Sequence, residues 1–265
     1  MKKYLLFAMF LSIYYYTKLK ITKYAIKSEK IKRSMRIALL ADLHSVSYGK
    51  NQHELLRLIS AQSPDIIVMS GDMVDDRFDN IRSYQIMSDL AKKYLCFYVT
   101  GNHEHRTKQA EEIKETLKSF GIYVLDGKGA KLKGNIRIFG VDDREGDAIE
   151  FKRQHIKVYR TAKFENFNIL LQHKPEFISI FKKSNFDLML CGHTHGGQVG
   201  IPMFNSALYA NGQGFFPKYF GGMHKFYKNN LIISRGLTRN TRGIPRLFNP
   251  NELVVIDLSP KYSYS

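Results

Sequence analysis

Five short groups of metal-binding side chains punctuate the chain: Asp42-x-His44, Gly71-Asp72-x-x-Asp75, Gly101-Asn102-His103-Glu104, the lone His173, and Gly192-His193-x-His195. Imidazole nitrogens combined with carboxylate and amide oxygens suit borderline-to-hard divalent ions. A carboxylate shared between two such ions holds them about 3.5–4 Å apart, the spacing used for in-line displacement at phosphorus. Glycines beside the groups allow tight turns and close backbone approach. Singly, each group has an ordinary explanation. Asp72 could cap a helix, and His173 could be a satisfied core histidine. Five together, each after a strand-like run, point to one metal centre. Asp75 fits better as a support for a histidine ligand than as a ligand itself. His53, His105, His155 and His224 lack motif context, and Cys191, beside the last group, reads as packing.

The elements that must position these groups are legible from apolar runs of strand length at 36–41, 65–70 and 95–100. Helical stretches near 51–62, 79–93 and 107–120 lie between and after them. Near-continuous apolar strands alternating with helices imply a sheet covered on its faces. Asp42, Asp72 and Asn102 follow these strands at intervals of 30 residues, about one βαβ unit. Further strands are expected at 136–141, 167–171, 187–190, 231–234 and 253–257. Open α/β sheets place their sites at the carboxyl ends of strands, so the five groups can converge. No low-complexity linker divides this part, which therefore reads as one domain.

The ordered motifs D-x-H, G-D-x-x-D, G-N-H-E, H and G-H-x-H resemble those of the calcineurin-like metallophosphoesterase superfamily, from about Met35 to the C-terminus. That resemblance implies an α/β fold, a four-layer α-β-β-α sandwich. It implies two divalent ions (Mn, Zn or Fe), one held by Asp42, His44, Asp72 and His195, the other by Asp72, Asn102, His173 and His193. Asp72 would be the bridge. His103 would contact the phosphate and assist the leaving group, with Glu104 orienting it from behind. Every core ligand type is present, which argues against a non-catalytic scaffold.

The stretches 192–199, 216–219, 234–237 and 246–253 resemble a bacterial, membrane-associated phosphodiesterase subgroup. This subgroup is similar to one type of UDP-2,3-diacylglucosamine pyrophosphatase of lipid A synthesis. The implied activity is hydrolysis of a phosphodiester or pyrophosphate, with a lipid-linked substrate as the finer expectation. A metal-dependent nuclease, a cyclic nucleotide phosphodiesterase and a protein phosphatase are the alternatives.

Charge bears on that choice. The 265 residues carry a net charge of +17, from 41 basic and 24 acidic groups. Ten of the bases fall within residues 1–36, against the single acid Glu29. The remainder is only modestly basic and shows no basic-aromatic stripe for stacking bases, so nucleic acid is not the expected partner. Residues 4–16 are uncharged, but a helix of that length covers roughly 20 Å, short of a bilayer core of about 30 Å. Tyr14, Tyr15 and Tyr16 followed by lysines resemble an interfacial belt beside an anionic-lipid patch. Residues 1–34 are accordingly expected to form an N-terminal membrane-anchor helix and polybasic segment, and 35–265 the catalytic domain. The expected location is the cytoplasmic face of the inner membrane. Two further stretches are candidates for substrate contact. Aromatics and glycines between Phe204 and Tyr227 would form an apolar rim for a lipid chain. Of Arg235, Arg239, Arg242 and Arg246, Arg235 is the first choice for a phosphate contact. Two cysteines, Cys96 and Cys191, exclude a disulfide framework or a thiolate-rich zinc module.

Overall fold

The structure, a computed structural model, describes residues 19–201, 206–210, 212–241 and 244–261. The chain runs through β1 (Lys20–Ser28), β2 (Met35–Leu40), α1 (His53–Ser60), β3 (Ile66–Ser70), α2 (Ile81–Ala91) and β4 (Leu95–Val99). It continues with α3 (Asn102–Arg106), α4 (Ala110–Ser119), β5 (Tyr123–Val124), β6 (Gly129–Lys131), β7 (Ile136–Val141) and α5 (Ala148–Thr161). Then follow β8 (Phe167–Gln172), α6 (Ile178–Phe181), β9 (Leu188–Cys191), β10 (Gly222–Lys225), β11 (Asn230–Ile233) and β12 (Glu252–Pro260). Two-residue ribbons fill much of the stretch from Gly200 to Phe215.

Two six-stranded sheets result, ordered β1-β12-β2-β3-β4-β5 and β10-β11-β9-β8-β7-β6. The strands β2 to β5 are parallel, as are β7, β8, β9 and β11. Their β-branched and leucine-rich runs are buried on both faces. Val68, Val99, Ile169, Leu190 and Ile256 fill the space between the sheets. On the outer face of the first sheet, Ala38, Ile67, Met69 and Tyr98 meet Leu55 of α1, Ile86 and Leu90 of α2, and Leu117 of α4. On the outer face of the second, Phe139, Leu170 and Met189 meet Phe151 and Val158 of α5. The four-layer α-β-β-α sandwich expected from the motifs is what forms. Helix α5 escapes the sequence reading because its strip is narrow. In fourteen residues only Phe151, Gln154 and Val158 are buried.

The boundary at residue 34 needs correction. Lys20–Ser28 is a strand of the first sheet, paired in parallel with β12 from Lys20 opposite Glu252 to Ser28 opposite Pro260. Tyr24 and Ile26 face the core between the sheets, while Lys20, Lys23 and Lys27 stay exposed on this edge strand. Lysines on an edge strand also discourage pairing with another chain. Two more of the supposed lipid-facing bases are committed internally, Lys30 to Asp187 at 2.7 Å and Arg36 to Asp257 at 2.6 Å. The polybasic stretch is thus largely part of the domain. The apolar run 4–16 lies outside the described residues, among which no helix is long and apolar enough to cross a membrane.

Candidate metal centre

Each expected ligand sits in the loop after a parallel strand. Asp42 and His44 follow β2, Asp72 follows β3, and Asn102 opens α3 just after β4. His173 follows β8, and His193 and His195 follow β9. The turns are sharp: Asp42, His44, Asp72, His193 and His195 all have positive φ, between 48° and 71°. Such backbone costs of order 1–3 kcal/mol per residue and persists only where its surroundings impose it. Close approach requires glycine at Gly101, where an added Cβ would collide with the Asp72 carboxylate.

The seven ligand residues converge. His195 Nε2 lies 3.6 Å from Asp42 Oδ1, and His44 Nε2 lies 3.7 Å from Asp72 Oδ2. His173 Nε2 is 3.1 Å from the same Asp72 oxygen and 3.2 Å from His193 Nδ1. Two of the resulting donor groups, Asp42-His44-His195 and Asp72-His173-His193, can each surround a cation, with Asp72 between them. Asn102 Oδ1 is buried without a hydrogen-bond partner. A buried amide oxygen left unpaired is costly unless something positive meets it. The donor set therefore fits two divalent ions. Asn102 would complete the group of Asp72, His173 and His193.

The supporting contacts fix tautomers and loops. His173 Nδ1 donates to the Ser70 carbonyl at 2.7 Å, which directs Nε2 into the site. Asp75 Oδ2 accepts from His44 Nδ1 at 2.9 Å and does the same for that ring. Burial and neighbouring His173 hold His193 well below the ordinary histidine range; burial and His44 do so for His195. Both rings are neutral and offer lone pairs. Burial opposes charge on His173, but the adjacent Asp72 outweighs it and raises the ring to about 10. Burial raises Asp42 to about 6, whereas Asp72 stays well below the carboxylate range despite burial because His173 pairs with it.

Two assignments change. Glu104 does not hold His103. Its carboxylate accepts from the backbone N–H groups of Gly101, Asp72, Met73 and Val74, at 2.8–3.3 Å, and so pins the bridging-ligand loop. Burial and the Asp72 charge push Glu104 up to about 7, with backbone amides opposing them. The partner of His103 is Asp76, whose Oδ1 is 2.6 Å from Nδ1. The second change concerns Arg235. A cleft of about 700 Å³ opens over the metal ligands, and Arg235 is outside it. Its side chain packs behind the last motif, beside Gly196 and Gly221.

The cations facing the cleft are Arg77, Arg106, Lys174 and Arg239. Three are paired: Arg77 with Asp75, Arg106 with Glu145, Lys174 with Asp143. Arg239 stands over the Tyr48 ring at 4.9 Å, and among the described residues no carboxylate pairs with it. Arg246 is buried and Arg242 lies outside the described residues.

Residues 35–197 match the calcineurin-like phosphoesterase family. The chain belongs to that family. This calcineurin-like phosphoesterase is 31% identical over 242 residues to an uncharacterized metallophosphoesterase of Campylobacter jejuni, covering 87% of this chain but only 61% of the relative's length. The phosphodiesterase YaeI of Escherichia coli is 28% identical over 220 residues, covering 76% of this chain and 74% of that protein. A zebrafish transmembrane protein with a metallophosphoesterase domain is 26% identical over 231 residues, covering 80% of this chain and 51% of its own.

Proposed function

We propose that this phosphoesterase hydrolyses a phosphodiester or pyrophosphate bond in a lipid-linked substrate, such as an acylated nucleotide sugar, at the cytoplasmic face of the inner membrane. One observation carries the substrate class. Phe78 lines the cleft and is 63% exposed, and the hairpin pairing Tyr209–Ala210 with Gly214–Phe215, which brings Gly212 to the cleft wall, carries Phe215 and Phe216, about 70% exposed, a few residues further on. Large exposed aromatics on the lip of a charged cleft mark a contact for apolar ligand or membrane. The naming of some relatives as transmembrane proteins agrees with a membrane setting.

When bound, two divalent ions activate water and offset charge on the phosphoryl group. The chain supplies the rest. His103, anchored through Nδ1 by Asp76, keeps Nε2 toward the cleft, 4.0 Å from Asp72 Oδ2, where it can pass a proton to the leaving oxygen. Arg239 replaces Arg235 as the phosphate contact, held at the cleft by Tyr48 with no carboxylate paired to it among the described residues.

The test compares kcat/KM in mixed micelles for an acylated nucleotide sugar and for its deacylated form. A preference for the acylated compound that falls in a Phe215→Ser, Phe216→Ser double variant is expected. Equal values for both compounds would remove the lipid reading. Because β1 belongs to the sheet, a truncation that probes anchoring must stop at residue 18.

A further inference from the structure

His195 is held from outside the region that matches the family. Its carbonyl accepts from Arg246 Nη1 at 3.1 Å and from Asn249 Nδ2 at 2.6 Å. Arg246 is only 4% exposed, and among the described residues no carboxylate pairs with it. Its Nη2 donates to the Arg235 carbonyl at 2.6 Å, while its Nε is buried without a hydrogen-bond partner. Burial outweighs the attraction of Asp42 and Glu252 and holds Arg246 below the ordinary arginine range, so a packing role alone would be better served by an apolar side chain. The turn it grips is itself unusual. His195, Gly196 and Gly197 have φ of 49°, 66° and 71°, and a Cβ at Gly196 would collide with Asn249 Oδ1.

The same segment also braces Asp42. Leu237 N–H donates to the Ala41 carbonyl at 2.9 Å, and Thr238 N–H to the Asp42 carbonyl at 2.7 Å. Gly236, at φ 80°, packs so closely that a Cβ there would lie 2.7 Å from Asp42 Cβ. By contrast, Asp72 and His173 take their support from Glu104 and Ser70, inside the matched region.

We propose that Arg246 and Asn249 are positioning residues for the metal held by Asp42, His44 and His195, so that the C-terminal segment builds one of the two metal positions and not the other. The proposal rests on the dinuclear reading of the centre. Without the two donors the His195 carbonyl loses both of these bonds, the left-handed turn relaxes, and Nε2 moves off Asp42.

The experiment titrates metal-free full-length protein with Co²⁺, following the visible d–d spectrum and the bound stoichiometry after equilibrium dialysis. Wild type is expected to bind two ions. Asn249→Ala and Arg246→Met are each expected to weaken one ion by roughly 10–100-fold, the usual scale for losing a group that orients a ligand, and to leave the other unchanged. Arg246→Lys should recover part of the loss. Should Arg246→Met fail to fold, Asn249→Ala carries the test, with its metal-free melting temperature as the control. Two ions bound with wild-type affinities, or both weakened equally, would overturn the proposal. A wild type that binds fewer than two ions would instead remove the dinuclear reading.

Discussion

The two sheets deliver different chemistry to the same place. Loops of the first supply oxygen donors, Asp42, Asp72 and Asn102, with one imidazole, His44. Loops of the second supply imidazoles only: His173, His193 and His195. Each donor group draws on both sheets. An ion bound in either of these two groups would tie one sheet to the other. Negative charge comes from one side, softer neutral donors from the other.

The largest test of this division removes the shared carboxylate. Asp72→Asn is expected to abolish activity and weaken both ions, because its Oδ2 faces His44 and His173 from the two sheets. The loss should exceed that of any terminal ligand variant, measured by turnover and metal content together. Next in size is His103→Ala, expected to lower kcat by roughly 10²–10⁴ with metal content unchanged. If that variant loses metal, His103 is a ligand and the division of roles is wrong.

A third variant tests the sheets' contact away from the metals. Lys114 of α4, on the first sheet, pairs at 2.7 Å with Asp142 at the end of β7, and both are buried. Removing one partner of a buried pair typically costs 3–5 kcal/mol, so Lys114→Met should lower stability by about that amount in urea unfolding. Although burial opposes it, Lys114 keeps Asp142 below the ordinary carboxylate range. The folded pKa is depressed, so this stabilisation is present above the unfolded value of about 3.9 and fades as pH falls through the folded one. Wild type should lose stability there more steeply than the variant. The smallest effect is the loss of a single ion. At 100 times its dissociation constant one ion stabilises by about 2.7 kcal/mol, a shift of roughly 5–10 °C in melting temperature for a domain of this size, and chelation of both should double it. An unchanged melting temperature on chelation would show that the folded domain does not hold the ions, and with them the link between the sheets is lost.

The places of the candidate ligands are legible because the parallel strands are apolar on both faces and end abruptly at residues of a chemistry the core cannot use. His173, with no motif neighbours, was found by its place after a strand. Other features were hidden for physical reasons. β1 alternates lysines with Tyr24 and Ile26, so its charge masks its strand character. Asp76 and Asp75 are adjacent, and only the turn decides that Asp75 supports His44 while Asp76 supports His103. Arg235, Arg239 and Arg246 are alike in sequence, yet one packs behind the site, one faces the cleft and one is buried. Loop geometry sorts them, and no periodic pattern encodes it.

The parallel pairing of β1 with β12 has a directional consequence. Because β12 runs opposite to β2, Glu252 lies at the end of the sheet where β2 releases Asp42, and Lys20 lies beside Glu252. The chain therefore joins the domain on its working side, and not on the side away from the metals. Glu252 makes that proximity mechanical: one carboxylate oxygen accepts from the Thr22 hydroxyl of β1 at 2.6 Å, the other from the Arg235 N–H at 2.9 Å. A disturbance of the outermost strand therefore has a two-bond route to the segment that braces Asp42.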